Sequence, residues 1–222
     1  MKRRARGVAN CIAVIGDMVG SRKLSAQRRA SVQLKLEQAI SGWNQSHRRS
    51  VLAEFTITTG DEFQGLLKNP DCLLVTIRSL EQSIPDVEFR FGVGFGTLFT
   101  ELRPIAVGMD GPVWHQARAA IVRAKEQGQL GGVFEGFGED TMALNALARF
   151  LHYHYSSMTQ QQRAVADLFR SGCSVTEISQ QLDIAATNVS RQKKAIAWPM
   201  LHEGESALQA LLERFNCEND WA

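Results

Sequence analysis

The spacing of apolar positions divides the chain into two stretches of different character. Residues 8–16 are apolar almost throughout, which predicts a strand buried on both faces at the centre of a sheet. From 25 to 43 the apolar positions Val32, Leu34, Leu36, Ala39, Ile40 and Trp43 follow a helical stripe, with Ser25 as cap and Gly42 and Asn44 at its end. Residues 51–58 and 62–67 read as two strands joined by the tight turn Thr59-Gly60-Asp61. Pro70 and Asp71 open a second helix, which Pro85 stops. Residues 87–98 alternate: Val87, Phe89, Phe91, Val93 and Phe95 share one face, and Glu88, Arg90, Gly92, Gly94 and Gly96 the other. A strand face of bare backbone marks close approach by another body, either a packed helix or a ligand. An extended piece over 102–107, a helix over 112–127, a strand over 133–137 and a helix over 139–155 follow. The order β–α–β–β–α–β–β–α–β–α predicts an α+β domain over 1–156 with a mixed, ferredoxin-like sheet.

From 157 to 222 the strand pattern is gone. Helices are predicted over 159–171, 175–182 and 185–198, the last stopped by Pro199, with a further one over 203–215. Two short helices around the turn Asp183-Ile184, the second polar and basic, predict an all-α helix-turn-helix domain that binds DNA through residues 174–198. Thr187, Asn188 and Arg191 are placed to reach base edges, and Ser190, Lys193 and Lys194 to reach phosphates. One such unit makes few phosphate contacts, so DNA binding implies a dimer or help elsewhere, and a homodimer is the expectation. Leu208, Leu211, Leu212 and Phe215 give the last helix an apolar side for the first domain or a second subunit.

Composition changes this picture little. The net charge of +2 names no partner, but its distribution is uneven. Basic clusters lie at Lys2, Arg3, Arg4 and Arg6, at Arg22, Lys23, Arg28 and Arg29, and at Arg191, Lys193 and Lys194. Residues 159–222 as a whole hold six basic and eight acidic residues, so the positive charge is concentrated on one helix. No run approaches the roughly 20 apolar residues of a membrane span, and the first residues read as part of the fold instead of a signal peptide. Cys11, Cys72, Cys173 and Cys217 are widely spaced, which predicts free thiols and a reducing, cytoplasmic setting.

The candidate chemistry lies in acids at strand ends. Asp17 closes the apolar run CIAVIGD, and Asp61 and Glu62 sit at the hairpin tip. If the two strand ends are neighbours, Asp17 and Asp61 can share a divalent cation; the other reading makes Asp61 an ordinary turn residue. Arg118 and Arg123 on the helix over 112–127 are the basic groups for an anionic ligand. The glycine-rich stretch GQLGGVFEGFGED lacks the spacing of a phosphate-binding loop. His152 and His154, two apart, diverge on a helix and make a poor metal pair.

The segments AVIGDMVGSRKLS, FTITTGDEFQGLL, FRFGVGFG and GMDGPVWHQARAAI together resemble the bacterial SatD family over roughly 8–155. In order and spacing they are also similar, more distantly, to class III nucleotidyl cyclases and GGDEF-type domains. That resemblance implies metal-binding roles for Asp17 and Asp61, with Glu62 as the hairpin glutamate, and Mg2+ with a nucleoside triphosphate or another nucleotide as the bound group. It implies Ser21, Arg22, His115 and Arg118 as nucleotide-binding candidates. Two positions depart from the cyclase pattern. Ile57 stands where cyclases place a purine-reading lysine, and the cyclase asparagine and arginine fall on His115 and Ala119 in one register, on Trp114 and Arg118 in the other. The C-terminal helices resemble the DNA-binding regions of sigma factors and LuxR-type regulators. These readings combine into a bacterial DNA-binding regulator whose N-terminal domain senses a nucleotide, Mg2+ or both. The alternative is a metal-dependent cyclase-like or nucleotide-hydrolysing enzyme controlled by its helical tail.

Overall fold

A computed structural model describes residues 9–85 and 87–215, all but the side chain of Arg22. The basic residues Lys2 to Arg6, and Cys217, lie outside the described residues. Five strands form one sheet in the order β2-β3-β1-β4-β5: β1 (Cys11–Met18), β2 (Val51–Thr59), β3 (Glu62–Leu67), β4 (Phe89–Gly96) and β5 (Gly131–Glu135). Neighbours are antiparallel except β4 and β5, so the sheet is mixed. β1 is buried along its whole length and takes the centre, as its unbroken apolar run requires.

Alternation sends successive side chains of each strand to opposite faces. One face carries Ile12, Val14, Phe63, Phe91 and Val93 and is covered by α1 (Ala26–Ser46) and α2 (Leu73–Ser83), through Val32, Leu36, Leu73 and Leu80. The side chain of Ser25 caps α1 by accepting a bond from the Arg28 amide. The other face carries Cys11, Ala13, Ile15 and Leu66 and meets α3 (Pro112–Glu126) through Val113, Ala117 and Ile121. The bare face of β4 is thereby explained by a helix. A Cβ at Gly92 would collide with the Ala117 carbonyl and the Ile121 amide, and one at Gly94 with the Ala117 amide and the Val113 carbonyl. These two glycines let α3 settle onto the sheet backbone to backbone.

Residues 102–107 do not form the expected strand. They make a single bridge, Glu54 to Ile105, in which the Glu54 amide donates to the Pro104 carbonyl at 2.8 Å. Pro104 has no N–H to extend a ladder. The helix α4 (Thr141–Ser156) packs beside β5 and leads out of this region.

A C-terminal α-helical bundle follows: α5 (Gln160–Arg170), α6 (Val175–Leu182), α7 (Ala186–Ala195) and α8 (Trp198–Glu213). Reciprocal capping boxes start α5 (Thr159 with Gln162) and α6 (Ser174 with Glu177). Val165, Ile178, Val189, Ile196 and Trp198 form the bundle core. Pro199 does not stop a helix ending at 198. α7 ends at Ala195, Ala197 takes a left-handed conformation (φ 48°), and Pro199 lies in the first turn of α8, where its missing N–H costs nothing. The far half of α8 returns to the sheet: Leu208 and Leu212 join the core of the first region, and Phe215 packs edge-on against Phe95 and Phe137. Arg170 on α5 grips Glu205 on α8 with two nitrogens (2.7–3.0 Å), and Arg78 on α2 reaches the same carboxylate at 3.2 Å. Among the described residues no helix is long and apolar enough to cross a membrane, and Cys72 and Cys173 are free thiols.

Candidate functional site

Strand register sets a row of charges across one end of the sheet. Glu62 on β3 is the partner of Asp17 on β1, and Arg90 on β4 is the partner of Asp17 on its other side. Aligned partners project to the same face, here the face that α3 covers. Arg118 and Lys125 stand seven residues, about two turns, apart on α3, so both reach this row. Arg118 holds Glu62 with two parallel bonds of 2.8 Å. The Lys125 ammonium lies 2.9 Å from Asp17 Oδ1 and 3.6 Å from Glu62 Oε2, bridging the two carboxylates. Arg90 Nη1 stands 3.8 Å from Asp17 Oδ2. The hydrogen bonds it donates to Glu62 hold the Arg118 guanidinium above its ordinary pKa, with burial opposing and the charges of Glu62 and Asp17 adding. Asp17 is 8% exposed, so removing one of these partners would leave its carboxylate poorly compensated.

Asp61 occupies the turn, next to Gly60 in the left-handed region (φ 53°). Its backbone carbonyl accepts from the Met18 amide at 3.1 Å, which ties the hairpin tip to the end of β1. Its carboxylate takes the hydroxyl of Ser21. The structure therefore brings Asp17 beside Glu62 and gives Asp61 a separate partner. His115 bonds the Asp110 carboxylate at 2.8 Å and lies edge-on to Phe99, with none of the three acids among its partners. The Arg22 side chain lies outside the described residues. Arg123, also read as an anion-binding group, pairs with Glu135 and donates to the Phe134 carbonyl at 3.2 Å.

Two members of the row, Arg90 and Lys125, were not among the sequence candidates. The signal for Lys125 is its seven-residue spacing from Arg118 on a helix that glycines draw onto the sheet. The signal for Arg90 is its place on the glycine face of β4. As a set, Asp17 and Glu62 supply hard carboxylate oxygens of the kind Mg2+ takes, side by side on rigid strands. Among the described residues no group of three or more His, Cys, Asp or Glu is arranged to hold a metal ion.

A second candidate surface lies on α7. Thr187, Ser190, Arg191 and Lys194 are exposed and fall on one stripe, while Val189 and Ile196 are buried in the bundle. Asn188 accepts from Arg191 at 3.2 Å and from Gln192 at 3.4 Å. Lys193 is half-buried, its ammonium 4.9 Å from the centre of the Phe169 ring. Four of the six predicted DNA-contacting residues thus face outward together, and two engage neighbours within the bundle.

The architecture is a mixed-sheet region with a charged row at one end, followed by an α-helical bundle. Residues 11–197 match the SatD family, and the chain belongs to that family. None of the curated proteins matches it. Among solved structures it is similar to the catalytic core of a rhodopsin-guanylyl cyclase with converted specificity, in complex with ATPalphaS. That likeness has 14% identity and a TM-score of 0.40 and covers 52% of this chain and 72% of that one. It is also similar to the Regulator of Polyketide Synthase Expression from Bifidobacterium adolescentis, at 15% identity and a TM-score of 0.29, over 95% of this chain and 82% of that one. Neither likeness bears on what this chain does.

Proposed function

We propose that this SatD-family protein is a cytoplasmic, homodimeric DNA-binding regulator. Residues 1–156 form its nucleotide- and Mg2+-sensing domain and residues 157–222 its helix-turn-helix domain. The observation that carries this reading is the outward stripe Thr187, Ser190, Arg191 and Lys194 on α7. It follows a left-handed turn residue, Asp183 (φ 51°), and packs on α6 and α5 through Val189. Short polar groups at the helix start and cations further along suit base edges and phosphates respectively.

The sensing domain has the strand order of a split βαβ unit, with β1 between β3 and β4, which supports a ferredoxin-like, nucleotidyl-cyclase-like sheet. Asp17 and Glu62 would hold Mg2+, with Asp61 beside them at the turn. The ion would supply positive charge for the phosphates of a nucleotide. Lys125 and Arg118, released from the carboxylates, would turn to phosphate oxygens, so the row can exchange its internal ion pairs for those of the ligand. Ile57 packs against the core on the strand where a cyclase reads its purine, which favours sensing over cyclisation.

A mobility-shift assay on genomic fragments tests the DNA role. Wild type is expected to retard fragments at low salt and Arg191→Ala to do so more weakly; no retardation by wild type would remove the role. Calorimetry with Mg2+-ATP and Mg2+-GTP tests the sensor. Asp17→Asn is expected to weaken binding, and equal binding by the two proteins would sink the metal assignment.

A further inference from the structure

Between the sheet region and the bundle lies a cavity of about 520 Å3, within the size range of small-molecule sites. One wall comes from α2 and β4 and the other from α4 and α5. Of its charged lining residues, Glu81 on α2 and Arg163 on α5 carry opposite signs on opposite walls. They do not pair with each other, and neither has a full charge partner among the described residues. The ion-pair partner of Glu81 is the imidazole of His152, at 3.9 Å. Burial keeps that imidazole below its ordinary pKa, hence neutral at pH 7. Arg163 donates to the Ser156 carbonyl at 3.0 Å and lies over the Tyr155 ring at 5.4 Å, with no carboxylate among the described residues within ion-pair distance. Its Nε and the Nε2 of His152 are buried without a hydrogen-bond partner. The neighbouring charges are consumed: Arg78 and Arg170 by Glu205, and Asp167 by Arg170, Tyr155 and Gln82. Glu88 also faces the cavity, and Val87, Phe89 and Leu130 give it an apolar side.

A partly buried carboxyl that lacks a full cation partner, across a cavity from a guanidinium that lacks an anion, both among the described residues, defines the complement. The geometry points to a site for a small zwitterion of the amino-acid class. Its ammonium would pair with Glu81, its carboxylate would pair with the guanidinium of Arg163, and its side chain would lie against Val87, Phe89 and Leu130. Without a ligand, burial pushes the Glu81 carboxyl up to about 7, against the pull of Arg78 and Arg163. An arriving ammonium would therefore ionise Glu81 and release a proton. Because Glu81 belongs to the sheet region and Arg163 to the first helix of the bundle, an occupied cavity bridges the two. The site is separate from the Asp17–Glu62 row and does not rest on the nucleotide reading.

The test is a thermal-shift screen of the full chain against the twenty standard amino acids at pH 7, followed by calorimetry in two buffers of different ionisation enthalpy. At least one amino acid is expected to raise the melting temperature and to bind with proton release. Its N-acetylated and decarboxylated forms are expected to fail. Glu81→Gln, close in shape and neutral, and Arg163→Gln are each expected to weaken binding about 10-fold or more, the scale of losing one charged partner. Glu81→Gln keeps a side chain of the same size, so its melting temperature reports independently that it is folded. The site would be overturned if no amino acid stabilises the wild type, if folded Glu81→Gln binds equally, or if the blocked forms bind as well as the parent.

Discussion

The charged row at the sheet end and the stripe on α7 use similar residues in opposite ways. In the row, Asp17, Glu62, Arg90, Arg118 and Lys125 answer one another, and both acids are largely buried. On α7, Ser190, Arg191 and Lys194 face outward, with only Asn188 touching Arg191. The first arrangement contributes to the fold, and a ligand could reach its charges only by exchanging partners. The second leaves stability nearly untouched and offers its charge to a partner directly. The cause is backbone geometry. Gly92 and Gly94 draw α3 onto the sheet and so deliver Arg118 and Lys125 to the acids. α7 buries one stripe and leaves the opposite one in water.

The largest effect should come from removing that cause. Gly94→Val places a side chain against the α3 backbone, which must shift. We expect a loss of about 4 kcal/mol or failure to fold, in the range of severe core overpacking and strain, read by urea denaturation. A smaller effect, about 3 kcal/mol, is expected of Glu81 through pH. Its carboxyl is raised from 4.5 to about 7 by burial, so the protonated form suits the folded state. The stability it contributes is fully present below pH 4.5 and is lost as pH rises through about 7. Glu81→Gln should therefore gain on wild type steadily across that window, in parallel denaturation series, and match it at the acid end. A flat difference would mean that Glu81 is ordinary.

Lys125→Met leaves Asp17 and Glu62 facing each other with less compensation. We expect a loss of about 2 kcal/mol, below the figure for a fully buried pair because Lys125 is partly exposed. Millimolar Mg2+ should recover part of it if the carboxylates accept the ion. The matching change on the other side of the comparison, Lys194→Met, should move stability by less than about 0.5 kcal/mol, as exposed positions do. If the two lysine variants lose the same stability, the contrast between the regions fails.

Much of this was legible in the sequence. The central strand, the hairpin, the glycine face of β4 and the helices of the tail all follow from periodicity and turn chemistry. The glycine face was open between a helix and a ligand, because a bare face reports an approach without naming what approaches. The outward stripe of α7 was legible too, since burial of Val189 and Ile196 fixes the rest of the helix. What periodicity cannot supply is register. That Asp17 aligns with Glu62 and Arg90 depends on which residues pair across three strands, and Lys125 joins them only once α3 is placed. The cavity between the regions was hidden for the same reason. Glu81 and Arg163 look like solvated helix residues until α2 and α5 are set facing each other. Pro199 misled because the same ring that ends one helix suits the first turn of the next.

In the proposed reading, α7 presents its open charge to DNA. Fluorescence anisotropy of a labelled duplex, titrated with the full chain at about 50 and 200 mM salt, tests it most directly. Wild type is predicted to bind at the lower salt and to weaken steeply at the higher. Arg191→Ala is predicted to lose about 5- to 10-fold in affinity, with a shallower salt dependence and an unchanged melting temperature. Absence of binding at the lower salt, or equal affinity and salt dependence for the two proteins, would contradict the account.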